Sequence, residues 1–237
     1  MWYDKFSLPA ACEVDKPVYK KMFYDNAELS KTDKALFADV IDRVTWLYCL
    51  KPESIPIKPY LDEARDYPEL EVLEVALNTE KGLRRIAEII MRAIPYPMLL
   101  IFRLDEQAQV WAAHQRLSLA DSEKVTLEDF VFTDWLTEAS PLWAALHAQK
   151  QRFTNFFDFY ADWVDAISVF NAQTKIHADE SLTGEEARRL LAQQEQREAK
   201  IAALRAELKK ETQFNRKVEL NMEIKRLEKG QGGSGNE

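Results

Sequence analysis

Asp158, Asp162 and Asp165 stand four and three residues apart, the spacing that sets side chains on one face of an α-helix. Three carboxylates so arranged offer hard oxygen ligands to a divalent cation. A metal needs further oxygens from a second element, and no other acidic helix is placed by its spacing to supply them. The three aspartates therefore read as the solvated side of a helix whose other side is aromatic. Restriction-type nuclease chemistry would ask instead for an acid at the end of one strand and an acid-x-Lys on the next. Asp105 ends an apolar run, but the following strand carries Ala112, Ala113, His114 and Gln115, so a metal would lack ligands and its water a base.

The remaining reactive side chains are sparse. His114, His147 and His177 have no Cys, Asp or Glu at metal or triad spacing. His114, in a strand between Trp111 and Arg116, is the one that suits a binding role. Cys12 and Cys49 are isolated thiols without CxxC spacing, so neither a disulfide framework nor a zinc site is indicated. Of the six glycines, four fall in the last eight residues, which leaves almost none for a phosphate loop. No cofactor is expected, and no complete catalytic constellation is present.

The elements that would position these residues follow from periodicity. Ser30 and Asp33 form a capping box ahead of Leu36, Phe37, Val40, Ile41, Val44 and Leu47, which predicts one helix ending at Lys51-Pro52. "ELEVLEVALN" reads as a strand, and "NTEKGLRRIAEIIMRAIP" as an amphipathic helix. "PMLLIFRL" is a continuous apolar run, the mark of a strand covered on both faces. Asp105-Glu106-Gln107 turns it back into "AQVWAAHQRL", and "KVTLEDFVFTDW" supplies a further strand. The fold class expected is α+β, a small mixed β-α-β-β-β sheet flanked by helices. Ser140-Pro141 predicts the start of a helix that runs on through "PLWAALHAQKQRFTNFFDFYADWVDAISVFNAQ", its aromatics covering one sheet face. Thr183 and Glu186 form a second capping box, after which a long helix or helical hairpin is predicted. The expected division is a body over 1–179, a helical or coiled-coil arm over 183–229, and a disordered tail over 230–237.

The chain has 237 residues and a net charge of −8. Its charge is uneven: residues 183–229 hold 12 basic and 9 acidic side chains, against 20 and 31 elsewhere. An acidic body repels phosphate backbones, so any nucleic-acid contact falls to the arm, where Arg188, Arg189, Lys209, Lys210, Arg216 and Lys217 are the candidates. Glutamates interleaved with these favour a solvated helix. No apolar run approaches the roughly 20 residues of a membrane span, and the N-terminal stretch lacks the pattern of a signal peptide. A cytoplasmic protein with no membrane partner is the expectation.

In the arm, steps of four and three residues from Leu190 give Gln194, Arg197, Ile201, Leu204, Leu208, Glu211, Asn215, Val218 and Met222. Such a heptad seam, punctuated by polar residues, suits a chosen partner or register better than indiscriminate pairing. In "QFNRKVELNMEIKRLE" a second stripe, Leu220, Ile224 and Leu227, lies roughly 150° around from Val218 and Met222. One stripe can face the chain and the other a partner or second copy; Val218 and Met222, continuing the seam, are expected to face inward. An internal hairpin burying both stripes is the competing reading. Phe214, Asn215, Val218, Leu220, Asn221, Met222, Ile224 and Leu227 together make up the candidate partner-binding segment.

"KPVYKKMFYDNAELSKTDKALFADVIDRVTWLYCLKPESI", "AIPYPMLLIF", "FTDWL" and "QFNRKVELNMEIKRLE", in this order, resemble the bacterial family known as domain of unknown function 4391. That resemblance extends over nearly the whole chain. The family is described as methyltransferase-associated, since its genes tend to lie beside DNA methyltransferases and helicase-type restriction subunits in islands that resist bacteriophage. The resemblance carries over no catalytic residues. It implies an accessory subunit of a restriction-modification-like antiphage system, docking onto a DNA methyltransferase or helicase-type subunit. A diverged metal-dependent nuclease and a nucleic-acid-binding subunit are the alternatives.

Overall fold

The computed structural model describes residues 2–27, 29–117, 125–179 and 181–229; the glycine-rich tail expected to be disordered, 230–237, lies outside them. In chain order the elements are β1 (Glu13–Val18), α1 (Lys20–Asn26), α2 (Lys31–Val40), β2 (Ile41–Leu50), β3 (Tyr60–Leu61), β4 (Asp66–Tyr67), β5 (Leu70–Leu77) and α3 (Leu83–Ala93). There follow β6 (Met98–Leu104), β7 (Gln107–Ala112), β8 (Gln115–Leu117), β9 (Val125–Leu127), β10 (Val131–Phe132), α4 (Leu142–Ala145), α5 (Phe156–Ile176), α6 (Gly184–Lys210) and α7 (Phe214–Lys229). The chain divides into two compact units, one to Phe170 and one from Asn171.

The first unit is an α+β body around a six-stranded mixed sheet of order β1-β2-β5-β6-β7-β10. β5 and β6 are parallel, joined by the α3 crossover, and every other neighbouring pair is antiparallel. The predicted β-α-β-β-β unit is thus present as β5-α3-β6-β7-β10, with β1 and β2 added at one side. β6 is central, as its apolar run requires: Leu99 and Ile101 enter one core, Met98, Leu100 and Phe102 the other. The first core is closed by aromatics of α4 and α5, among them Trp143, Phe156, Phe159, Tyr160 and Trp163. The second is closed by α3, which turns Leu83, Ile86, Ala87 and Ile90 inward, together with Phe23 and Phe37. Gly82 opens α3 at φ 70°, a left-handed conformation, and a Cβ there would lie 2.9 Å from a Leu36 methyl. The β6–β7 turn is made by Asp105 and Glu106, with Leu104 paired to Gln107 and Asp105 at φ 51°.

Two helix expectations need correction. The capping box at Ser30 and Asp33 is present, but α2 stops at Val40 and the next ten residues form β2. There the β-branched and aromatic side chains gain more from pairing with β1 and β5 on either side, with partial cover on both faces, than from one helix face. Likewise the run from Pro141 is not one helix. α4 is a single turn, Ala148–Lys150 a short 3-10 turn, and α5 starts only at Phe156. The breaks are held by side chains: Gln151 donates to the carbonyls of Ala145 and His147, and Asn155 accepts from the Asp158 amide at the head of α5.

The second unit contains a helical hairpin of α6 and α7. Thr183 caps α6, accepting from the Glu186 amide while the Glu186 carboxylate accepts from the Thr183 amide. At 211–213 the helix is interrupted; the Glu211 carboxylate accepts from the amides of Thr212 at 2.7 Å and Gln213 at 2.8 Å. Across the hairpin run the ion pairs Lys200–Glu223, Arg205–Glu228 and Arg216–Glu207. Exposed pairs of this kind add little stability singly but fix the register of the two helices.

Candidate functional site

The segment with the most distinctive surface is α7. Its inward side chains are Leu220 and Ile224, 1% and 6% exposed, with Leu227 half-buried. Its outward apolar side chains are Phe214, Val218 and Met222, 77%, 42% and 67% exposed. At about 100° per residue these three form one continuous stripe. The expectation that Val218 and Met222 face inward is therefore reversed. The seam holds along α6, where Leu190, Gln194, Arg197, Ile201, Leu204 and Leu208 are all buried or half-buried. The interruption at 211–213 then rotates the chain, so Asn215, Val218 and Met222 leave the seam and Leu220 and Ile224 take their place. Asn221 is exposed and donates to the Lys217 carbonyl at 2.9 Å.

The rim of the outward stripe is basic. Lys217, Lys225, Arg226 and Lys229 flank it, and among the described residues none has a carboxylate within ion-pairing distance. The acids of α7 are engaged elsewhere: Glu219 with Arg216, Glu223 with Lys200, and Glu228 with Arg205. The surface is thus apolar at its centre and positive at its edge.

The nucleic-acid candidates do not gather into one patch. Arg188 and Arg189 lie in the second turn of α6, Lys209 and Lys210 at its end, about 30 Å away along the axis. The two lysines stand where cations complement the helix dipole. Arg216 is shared between Glu207 and Glu219 at 3.2 and 3.0 Å, leaving Lys217 beside the apolar stripe.

The other sequence candidates sit in structural roles. Arg152 grips Asp162 at 2.6 Å and also reaches Asp158 at 3.4 Å, so a guanidinium occupies the place a cation would take. Asp105 lies in the two-residue turn, whereas Ala112 to Gln115 lie at and beyond the far end of β7, roughly 20 Å along the strand. These two regions cannot act on one substrate atom. His114 is packed among aromatics: its Nδ1 is 3.0 Å from the Tyr67 hydroxyl, and the rings of Phe157 and Tyr160 lie against it. His147 Nδ1 accepts from the Gln149 amide and starts the 3-10 turn.

One cluster has no counterpart in the sequence reading. The β2–β5 register pairs Cys49 with Glu71, and the ligand-type atoms of Cys49, Glu69 and Glu71 all lie within 4.8 Å of one another. Cys49 and Glu71 are buried, and the Trp46 indole N–H donates to Glu71 at 2.5 Å. Burial pushes the Glu71 carboxyl up to about 7 and, with help from the two glutamates, the Cys49 thiol up to about 12. The three donors are of a kind that can hold a metal, but a cation would have to displace protons first. A signal was available in "ELEVLEVALN", where an otherwise apolar strand, buried along its whole length, carries Glu71 and Glu74. Cys49, about twenty residues away in sequence, could be joined to it only through the strand register. Both thiols are free, as the spacing implied.

Fold and surface together define an α+β protein with a mixed six-stranded sheet and a helical hairpin. The model of the family described as domain of unknown function (DUF4391) matches residues 6–230, nearly the whole chain, and the chain belongs to that family. No curated protein and no solved structure matches it. No helix among the described residues is long and apolar enough to cross a membrane.

Proposed function

We propose that this protein is a non-catalytic accessory subunit that docks onto a larger partner through α7. The observation that supports this reading is the exposed stripe of Phe214, Val218 and Met222 inside a rim of basic side chains that, among the described residues, have no carboxylate within ion-pairing distance. Apolar anchors at i, i+4 and i+8 suit a helix laid into a groove, and the rim asks for acidic residues around that groove. The occupant is therefore a protein with an acid-rimmed apolar groove. The family resemblance implies a DNA methyltransferase or helicase-type subunit of a restriction-modification-like antiphage system, in the cytoplasm. A duplex is a poorer fit, because three large apolar side chains would face phosphates.

The test compares Val218→Asp with Ile224→Asp in pull-downs against the purified methyltransferase and helicase-type subunits. Val218→Asp leaves the melt of the free protein unchanged and removes binding, a loss on the order of 2 kcal/mol or more for a central anchor. Ile224→Asp destabilises the hairpin by on the order of 3 kcal/mol, since it leaves a buried charge unpaired. Equal binding by wild type and Val218→Asp would reject the docking surface. Divalent-metal-dependent DNA cleavage by the pure protein would reject the non-catalytic reading. Salt-sensitive duplex binding that is insensitive to Val218→Asp would favour the nucleic-acid alternative, and concentration-dependent dimerisation lost in Val218→Asp would replace the larger partner with a second copy.

A further inference from the structure

A cavity of about 660 Å³ opens on the body, over the face of the sheet that α4 and α5 cover elsewhere. Its floor is polar, made by Arg43 and Thr45 of β2, Glu74 of β5 and Arg103 of β6. Trp2, Pro17 and Leu47 supply apolar walls, and Asp15 stands at the rim in a left-handed conformation, φ 43°. The volume is large enough for a small molecule, and apolar walls with a few convergent polar groups are the mixture such a ligand needs.

The strand register sets the charges. Ala76 of β5 is paired on one side with Arg43 and on the other with Arg103, so the two arginines rise from backbones about 10 Å apart with only a methyl group between them. One residue pair deeper, Glu74 is buried and ion-paired to Arg103 at 3.1 Å, which braces that guanidinium. Arg43 is exposed and, among the described residues, has no carboxylate within ion-pairing distance. Guanidiniums approaching from two sides suit a phosphate dianion, whose three terminal oxygens and double charge can serve both forks at once. Asp15 is an acceptor for a hydroxyl or amine at the other end of the same ligand.

We propose that this cavity binds a phosphate monoester of mononucleotide size, its phosphate between Arg43 and Arg103 and its ring against Trp2, Pro17 and Leu47. Calorimetric titration of the full chain with AMP, adenosine and inorganic phosphate tests it. AMP binds more tightly than either fragment. Arg43→Ala weakens AMP roughly ten- to hundredfold, the loss of a charge-assisted hydrogen bond, and Arg43→Lys, which keeps the charge without the fork, recovers part of it. An unchanged melt accompanies both variants, since Arg43 is exposed. As a measurement that needs no variant, AMP shifts the Trp2 indole N–H resonance. AMP that does not bind at millimolar concentration, binds Arg43→Ala as well as wild type, or leaves the Trp2 resonance in place would overturn the proposal. Adenosine binding as tightly as AMP would also overturn it, by removing the phosphate from the recognition.

Discussion

Glu71 shows how far one buried side chain can shape the behaviour of the protein. Burial moves its carboxyl from the ordinary 4.5 to about 7, only partly opposed by the Trp46 hydrogen bond. The native state therefore holds a proton that the unfolded chain has released between these two values. For this group, stability is greatest at or below pH 4.5, falls as pH rises to about 7, and is level above that. Glu71→Gln keeps an acceptor for Trp46 and removes the cost. The variant should be more stable at pH 8, by on the order of 3 kcal/mol, and indistinguishable from wild type near pH 4.5. Thermal melts at the two pH values check this; an equal gain at both would show that ionisation of Glu71 is not the cause. Asp33 has the opposite character. The Arg85 guanidinium beside it holds its carboxyl far below the usual carboxylate range, so its contribution is present at neutral pH and lost as the solution becomes strongly acidic.

At the scale of elements, the two capping boxes make separable predictions. Ser30→Ala should lower the stability of the body by about 1 kcal/mol, and Thr183→Ala should weaken the first turn of α6 by a similar amount. Urea melts read the first, and faster amide exchange confined to the start of α6 reads the second. Both caps were legible in the sequence because a capping box is local, complete within four residues. So was β6, because a strand covered on both faces needs no alternation to be recognised. β2 was not legible, and its bulges are the reason. Register shifts between Ile41 and Arg43 and between Trp46 and Tyr48 change the side on which successive residues fall. Apolar side chains then recur three and four residues apart, as they do on a helix. In α7 the sequence displayed both apolar stripes. Which one turns inward depends on the interruption at 211–213, which breaks the heptad count. The sheet cavity was still less accessible, since Arg43, Ala76 and Arg103 become neighbours only once β2, β5 and β6 are in register.

For the whole molecule, the division falls after Phe170, inside α5. A chain ending at Asp179 keeps α5 entire, together with both apolar cores of the body. It should remain soluble and melt in one cooperative transition, as calorimetry and denaturant melts can establish. An insoluble product or a gradual melt would mean that the hairpin belongs to the folding unit of the body. The ends of the sheet set a different kind of constraint. At one edge, β1 carries Lys16, Pro17 and a register shift between Glu13 and Lys16; at the other, β10 has only two residues. A proline without an N–H, a charged side chain and an irregular ladder make a poor template for an incoming strand, and two residues offer almost none. Growth of the sheet from molecule to molecule is thereby discouraged, and with it the commonest route from a β-rich body to fibrils. The same feature makes the six-stranded sheet a poor place for another protein to add a strand, so a partner that meets the sheet there must read its side chains.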